Sequence, residues 1–149
     1  MRIHIGSDHA GLELKAELVK HLTSNGHDVT DHGPHEYDAL DDYPDFCIPA
    51  AEAVAKDPAS LGIVLGGSGN GEQMAANKVK GIRAALAWSI ETAKLAKDHN
   101  NANVIAVGGR MHEISFVKEI IDAFIAAPFS HDERHIRRIK KISDFENKG

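Results

Sequence analysis

A glycine-rich stretch in the middle of the chain combines residue types that stabilise a developing negative charge. The apolar run Ile63–Leu65 has the length and β-branching of a buried parallel strand. The loop Gly66–Gly71 follows it, and helix-forming residues resume at Glu72. A helix N-terminus after such a loop binds anions, because its first N–H groups lack partners and its dipole is positive there. A carboxylate at Glu72 beside this nest indicates chemistry on a carbonyl more than simple phosphate binding.

The glycine loop is close to three known motifs and matches none of them. A P-loop requires lysine where this chain has Glu72, and a carboxylate there repels a nucleotide's phosphates. Gly67, Gly69 and Gly71 give G-x-G-x-G, one residue short of the dinucleotide-binding fingerprint. The nucleophile elbow G-x-S-x-G lacks its second glycine after Ser68. We interpret the loop as an oxyanion nest, and a tight strand-to-helix turn without a ligand is the alternative.

Composition narrows the class of protein. A chain of 149 residues is long enough for one domain, residues 1–149, with its own core. The net charge of −5 argues against a nucleic-acid-binding surface. No apolar run approaches the ~20 residues of a membrane span, and the chain enters a strand pattern directly, without a signal peptide. Cys47 is the only cysteine, which fits a reducing cytoplasm. We therefore expect a cytoplasmic protein that binds neither nucleic acid nor membranes.

Strand and helix patterns alternate along the whole chain. We predict strands at residues 2–6, 27–31, 61–65, 82–88 and 103–107. We predict a helix from residue 12 to a stop at Asn25-Gly26, then helices at 44–56, 72–77, 90–98, 114–125 and 131–144. Right-handed crossovers place such helices on both faces of a sheet. The prediction is a Rossmann-like three-layer αβα sandwich with a five-stranded parallel sheet, which binds ligands beyond the carboxyl ends of its strands.

Several polar residues fall near those strand ends. Asp8 and His9 follow the first strand and suit acid–base work or phosphate capture, although Asp8 could simply cap the first helix. Arg110 follows the fifth strand and could hold phosphate in two hydrogen bonds, or be solvated. His99 ends a helix just before the fifth strand, so an acid–base role competes with a simple interaction with the helix dipole.

The last helix carries basic residues at helical spacing. Arg134 and Arg138 are four apart and share one face, which is either a phosphate-binding or a solvated basic face. His131 and His135 have the same spacing, but no third ligand accompanies them, so we predict no metal site.

Three further residues stand out by type. Cys47 lies among apolar residues and is predicted to be a buried core thiol rather than a nucleophile. Trp88 closes an apolar strand and is predicted to belong to the core. Tyr43 ends an acidic loop and could line a sugar site.

Assembled in order, these motifs closely resemble the type B ribose-5-phosphate isomerase family, which also includes galactose-6-phosphate isomerase subunits. The resemblance covers nearly the full length, through the blocks Gly6–Gly11, Asp42–Pro44, Gly66–Gln73, Ala76–Lys78, Gly81–Arg83, His99-Asn100, Asn103-Val104, Gly108–Arg110 and Arg134-His135 with Arg138. It implies interconversion of D-ribose 5-phosphate and D-ribulose 5-phosphate in the non-oxidative branch of the pentose phosphate pathway. The alternatives are an isomerase of allose 6-phosphate or galactose 6-phosphate, and a non-catalytic sugar-phosphate-binding domain.

The resemblance also implies the catalytic residues. One branch of the family uses a cysteine in the glycine loop as the base, and the other uses a glutamate at the helix start. This chain has Gly66 in the loop and Cys47 outside it, so it resembles the glutamate branch, with Glu72 as the base. By the same resemblance, His99 opens the sugar ring with the assistance of Asp8.

Further roles are implied for substrate-binding residues. By resemblance, Ser68 and the loop stabilise the oxyanion, Asn100 helps to hold the substrate, and the phosphate is bound by basic side chains. The full set of substrate-binding candidates is Asp8, His9, Tyr43, Gly67, Ser68, Gly69, Asn70, Gly71, Asn100, Arg110, Arg134 and Arg138. The family forms homodimers with active sites built from both chains, which implies that helix 131–144 packs on a partner subunit in a dimer or a tetramer. It uses no metal or organic cofactor.

Overall fold

Five parallel strands form one sheet in the computed structural model, which describes all 149 residues. They are β1 (Arg2–Ser7), β2 (Asp28–Asp31), β3 (Leu61–Gly66), β4 (Ala84–Leu86) and β5 (Val104–Gly108). The order across the sheet is β2-β1-β3-β5-β4, and every neighbouring pair is parallel. The predicted Rossmann-like α/β fold is therefore confirmed.

Six helices connect and cover the strands. They are α1 (Leu12–Ser24), α2 (Pro44–Lys56), α3 (Asn70–Ala76), α4 (Ile90–Asn100), α5 (Ile114–Ala126) and α6 (Glu133–Glu146). A short 3-10 turn, His9–Gly11, precedes α1. None of these helices is both long and apolar enough to cross a lipid bilayer.

Local sequence signals fix several helix ends. Pro44 opens α2, where its missing N–H has no partner to lose. Ser89 and Thr92 form a capping box that starts α4, since each side chain bonds the other's backbone N–H. Helix α1 ends at Ser24, Asn25 is its C-cap, and Gly26 follows in the left-handed region with φ 87°.

The predictions for Trp88 and for the start of the last helix were wrong, because both depended on position in the tertiary structure. Trp88 is 61% exposed, since β4 is a short edge strand that ends at Leu86 and leaves Trp88 outside the core. The last helix begins at Glu133, after Asp132 caps it, and His131 lies outside it with φ 57°. His131 therefore does not share a helical face with His135, which is itself buried.

The core has two parts, one on each face of the sheet. Successive residues of a strand point to opposite faces, so Ile63 and Leu65 belong to the larger cluster, which contains residues of α1, α4 and α5. Val64 points the other way, into a smaller cluster with residues of α2 and α3. Cys47 lies in that smaller cluster with no exposed surface, as expected for a core thiol.

The sheet has its topological switch point between β1 and β3. The chain runs from β1 outward to β2, then returns past β1 to build β3, β5 and β4 on the other side. The carboxyl ends of β1 and β3 therefore border the crevice in which such folds bind ligands. Asp8 and the glycine loop both lie there.

Candidate active site

The glycine loop is tied to the turn after β5. The Gly66 carbonyl accepts the Gly109 N–H at 2.7 Å, and the Gly67 carbonyl accepts the Arg110 N–H at 3.1 Å. Gly69 has φ 87°, and a Cβ there would also press on the backbone of β5. These contacts hold the loop in one shape at the edge of the sheet.

Helix α3 starts at Asn70, two residues before its predicted start. The first hydrogen bond of its helical ladder runs from the Gln73 N–H to the Gly69 carbonyl at 3.0 Å. Ser68 Oγ accepts the Asn70 N–H at 3.3 Å. The N–H groups of residues 71 and 72 precede the first bond of the helical ladder; that of Glu72 faces its own carboxyl group, and that of Gly71 remains at the positive end of the helix for an anion.

The carboxylate of Glu72 turns back onto this loop. Glu72 is 4% exposed, and a Cβ on Gly66 would overlap its carboxyl group. Burial raises the pKa of Glu72; a backbone N–H opposes the rise and the charge of Asp8 adds to it. A carboxyl group with a raised pKa is a better proton acceptor, which suits a general base.

Asp8 and Cys47 flank Glu72. One oxygen of Asp8 accepts the Ala10 N–H at 2.9 Å and caps the 3-10 turn before α1. Helix α1 itself starts after Gly11 without a side-chain cap, so Asp8 caps the turn and not the first helix. Burial raises the pKa of the Cys47 thiol well above its usual range, and the charges of Glu72 and Asp8 raise it further. Cys47 thus remains a neutral thiol behind the site and does not supply a base.

Two predicted substrate ligands line the same loop. The ring of Tyr43 packs against Gly71 so closely that a Cβ there would overlap it. The Arg110 side chain runs along Gly67, with its Cδ 3.4 Å from the position of an added Cβ, and is otherwise exposed.

His9 has a partner that sequence reasoning missed. Asp41 Oδ1 accepts hydrogen bonds from both the His9 backbone N–H, at 3.0 Å, and the ring Nδ1, at 2.7 Å. Ligand atoms of Asp8, His9 and Asp41 lie within 4.8 Å of one another, a set of types that can hold a metal ion. No spacing rule connects Asp41 to a residue 32 positions earlier, so only the folded chain identifies it.

These residues form what we call the strand-end group: Asp8, His9, Asp41, Tyr43, Gly66–Glu72 and Arg110. A second set, the helix-end group, lies where α4 ends and α6 begins: His99, Asn100, Arg134, His135 and Arg138.

Within the helix-end group, His99 stacks on His135. Their ring centroids are 4.4 Å apart, and His135 Nδ1 is hydrogen-bonded to Ser130 Oγ at 2.8 Å. His99 Nε2 lies 3.6 Å from an oxygen of Asp98. Sequence reasoning placed His135 among metal candidates and missed its stacking role, which spacing alone does not indicate.

Both arginines of this group are exposed on α6. Arg134 lies 3.6 Å from Asp132, and Arg138 is one turn further along the same helix. Their guanidinium groups are therefore available to an external anion.

The two groups lie at opposite ends of the parallel strands. β3 and β5 run parallel, with Gly62 opposite Val104 and Gly66 opposite Gly108. Glu72 follows the carboxyl end of β3, whereas His99 precedes the amino end of β5. The four residue steps from Gly62 to Gly66 rise about 13 Å along the strand, and this distance separates the two ends. One chain alone does not bring His99 to Glu72.

Comparison with known proteins defines the class to which this fold and site belong. Residues 3–142 match the family described as Ribose/Galactose Isomerase. The chain belongs to this family of sugar isomerases.

Individual relatives also have the names of sugar-phosphate isomerases. A protein named ribose-5-phosphate isomerase B from Mycolicibacterium paratuberculosis is 58% identical over 146 residues, which are 98% of this chain and 92% of the relative. A galactose-6-phosphate isomerase subunit LacB from Clostridium acetobutylicum is 44% identical, over 97% of this chain and 83% of the relative. The solved structure of ribose-5-phosphate isomerase B from Mycoplasma genitalium with bound ribulose-5-phosphate has a TM-score of 0.96 and 46% identity, covering 99% of this chain and 97% of that one.

Proposed function

We propose that this protein is a ribose-5-phosphate isomerase that interconverts D-ribose 5-phosphate and D-ribulose 5-phosphate. The observation that carries the proposal is Glu72, a buried carboxyl group of raised pKa, set against a glycine loop at a helix N-terminus. Relatives with this activity in their names support the substrate. A lone buried thiol fits a reducing compartment, so we infer that the reaction runs in the cytoplasm, in the pentose phosphate pathway.

The reaction is a proton transfer between adjacent carbons. Glu72 removes the C2 proton of the open-chain aldose and leaves an enediolate whose charge rests on oxygen. Glu72 then delivers that proton to C1, while a hydroxyl proton passes from O2 to O1, so the product has the same atoms as the substrate. The barrier is the weak acidity of the carbon, and loop N–H groups with Ser68 stabilise the enediolate oxygen. One such donor is worth roughly 2.7–4 kcal/mol in well-studied enzymes.

Ring opening precedes this step. We infer that His99 donates a proton to the ring oxygen and that Asp8 assists by accepting the proton of the anomeric hydroxyl. Asp8 is suitably placed, since it lies beside Glu72 at the end of β1. His99 is not suitably placed within the same chain, because it lies at the amino ends of the strands.

A second copy of the chain resolves this separation. We infer a homodimer in which the helix-end group of one chain completes the strand-end group of its partner. A groove between the edge strand β4 and α6 supports the inference, because it is lined by Leu86, Trp88, Ile139 and Ile142, and an exposed apolar groove of this kind favours a protein partner. Light scattering on the intact protein should give at least twice the chain mass, and Ile142→Asp should shift it toward one.

The same assembly completes the phosphate site. We propose that His9 and Arg110 of one chain meet Arg134 and Arg138 of its partner around the phosphate. Guanidinium groups match phosphate oxygens in two hydrogen bonds each, and Asn100 of the partner adds a hydrogen bond to the sugar. No metal or organic cofactor is required in this scheme.

One observation favours a second candidate function. The galactose-6-phosphate isomerase subunit at 44% identity suggests the same chemistry on a six-carbon sugar phosphate. The kcat/KM values for ribose 5-phosphate, allose 6-phosphate and galactose 6-phosphate decide between them. We expect ribose 5-phosphate to lead.

Exchange of solvent deuterium tests the proposed chemistry directly. The protein is incubated with ribose 5-phosphate in D₂O, and deuterium at C1 and C2 is followed by NMR. Base-catalysed transfer through an enediolate incorporates deuterium at these carbons during turnover. A protein that binds the sugar phosphate without any exchange or isomerisation is a binding domain, and the proposal fails.

A further inference from the structure

Asp41 lies behind His9 and has no part in the chemistry assigned to Glu72. Its Oδ1 accepts both hydrogen bonds that His9 makes, from the backbone N–H and from ring Nδ1. The Asp41 side chain is 7% exposed and the His9 side chain 24%. The carboxylate is therefore the more buried group of the pair, and the imidazole is the one that a ligand can reach.

The other oxygen of Asp41 is in an unfavourable place. Oδ2 is buried and has no hydrogen-bond partner within the chain. A buried carboxylate with an unpaired oxygen is a poor stabiliser of a fold, because it gives up hydration without full replacement. The two bonds from His9 are the interactions that offset this loss, so the carboxylate's contribution runs through His9.

The bond also selects the state of the ring. An ionised carboxylate only accepts hydrogen bonds, so His9 Nδ1 must carry a hydrogen. Nε2 is then the ring nitrogen that faces a ligand, and it donates to a phosphate oxygen when the ring carries its second proton. The edge of the Tyr37 ring meets His9 at 87°, with centroids 6.0 Å apart, and further limits its rotation.

We propose that Asp41 is the positioning residue of the phosphate site: it holds the Nδ1–H and the orientation of His9, so that the Nε2–H of the protonated ring donates to the phosphate of the substrate. The inference rests on the proposed function, in which His9 is a phosphate ligand. Its physical advantage is preorganisation, since a ring already held in its binding orientation loses less freedom when the ligand arrives. His9 also screens the charge of Asp41, which would otherwise repel the phosphate.

Asp41→Asn tests the proposal, because it keeps the shape of the side chain and removes the charge. We expect the Kd for inorganic phosphate, measured by calorimetry, and the KM for ribose 5-phosphate each to rise about tenfold, with kcat within about twofold of wild type. Asp38→Asn is the matched control. Asp38 lies in the same acidic loop and is exposed, and its side chain bonds only the nearby Leu40 N–H. The same change of charge there should therefore leave both constants unaltered.

A double-mutant cycle shows whether Asp41 acts through His9. In the His9→Gln background, Asp41→Asn should produce no further rise in the phosphate Kd. An equal rise in both backgrounds would overturn the proposal, and so would a Kd that Asp41→Asn changes less than twofold while the unfolding temperature falls. That last pattern would mean a structural role only.

The tautomer of His9 gives a readout that needs no variant to fold. Nitrogen-15 NMR of the wild-type protein, at a pH where the ring is neutral, should show hydrogen on Nδ1 and none on Nε2. The reverse tautomer would refute the proposal. If the wild-type protein converts no ribose 5-phosphate, the proposed function fails, while phosphate calorimetry and the tautomer still decide the role of Asp41.

Discussion

The strand-end and helix-end groups are built in different ways. The strand-end group is built around a glycine loop that is held by backbone bonds between the turns after β3 and β5, and its Glu72 is 4% exposed. The helix-end group consists of side chains on two helices, and its His99 and Arg134 side chains are 44% and 58% exposed.

This difference separates two kinds of task. A base that must take a proton from carbon benefits from burial, which raises its pKa before any substrate arrives. Groups that grip a phosphate or donate a proton to a ring oxygen can remain solvated until a second surface covers them. Under the proposed function, the strand-end group needs little beyond its own chain, whereas the helix-end group is exposed and would act on the site of a partner.

The largest expected effect on activity comes from removing the base of the strand-end group. Glu72→Gln keeps the size of the side chain and removes the base, so kcat for ribose 5-phosphate should fall roughly a thousandfold. Glu91→Gln is the control, since Glu91 also lies in the first turn of a helix but is exposed. Turnover of the Glu72→Gln variant within tenfold of wild type would mean that another group is the base.

The next effect tests whether His99 of the helix-end group opens the sugar ring. His99→Asn should lower kcat on ribose 5-phosphate roughly a hundredfold, and less on a sugar phosphate that spends more time open. Equal losses on both substrates would argue against ring opening.

Mixed dimers sharpen the same comparison. A dimer of one Glu72→Gln chain and one His99→Asn chain, isolated with two affinity tags, has one site with both residues intact if sites are shared. We expect about half of the wild-type activity per dimer. Activity no higher than that of the two parent variants would show that each site is built within one chain.

A smaller effect concerns the fit between Glu72 and the loop. Gly66→Ala places a methyl group where the Glu72 carboxyl lies, and should lower kcat about tenfold by displacing the base. Gly62→Ala, on the same strand, meets Val54 and Val104 instead. Both variants should lose stability by overpacking, but only Gly66→Ala should change kcat; equal kcat in both would contradict the packing argument.

The smallest effect is on stability. Because burial raises the pKa of Glu72, its contribution to folding is complete below the pKa of an unfolded glutamate and is lost as pH rises through the folded value. Glu72→Gln removes that loss, so its unfolding temperature at pH 8 should exceed that of wild type, with the gain shrinking toward pH 4. Calorimetry at both pH values measures this, and a gain that does not depend on pH would point to a cause other than ionisation.

The sequence determined what depends on neighbours along the chain. The bounds of α2, Pro44–Lys56, follow from a proline start and an apolar stripe, and the start of α4 follows from Ser89. Glu72 could be singled out because strand, glycine loop and helix occupy one short stretch. Such signals act over a few residues, through hydrogen bonds and dihedral preferences that the sequence states directly.

Tertiary structure decided everything that depends on which distant segments meet. It left Trp88 exposed just after an edge strand and joined Asp41 to His9. It also placed His99 at the opposite end of the strands from Glu72. The order of strands in the sheet determines these contacts, and spacing along the chain does not encode that order. Burial follows from the same packing, which is why the direction of the Glu72 pKa became clear only in the folded chain.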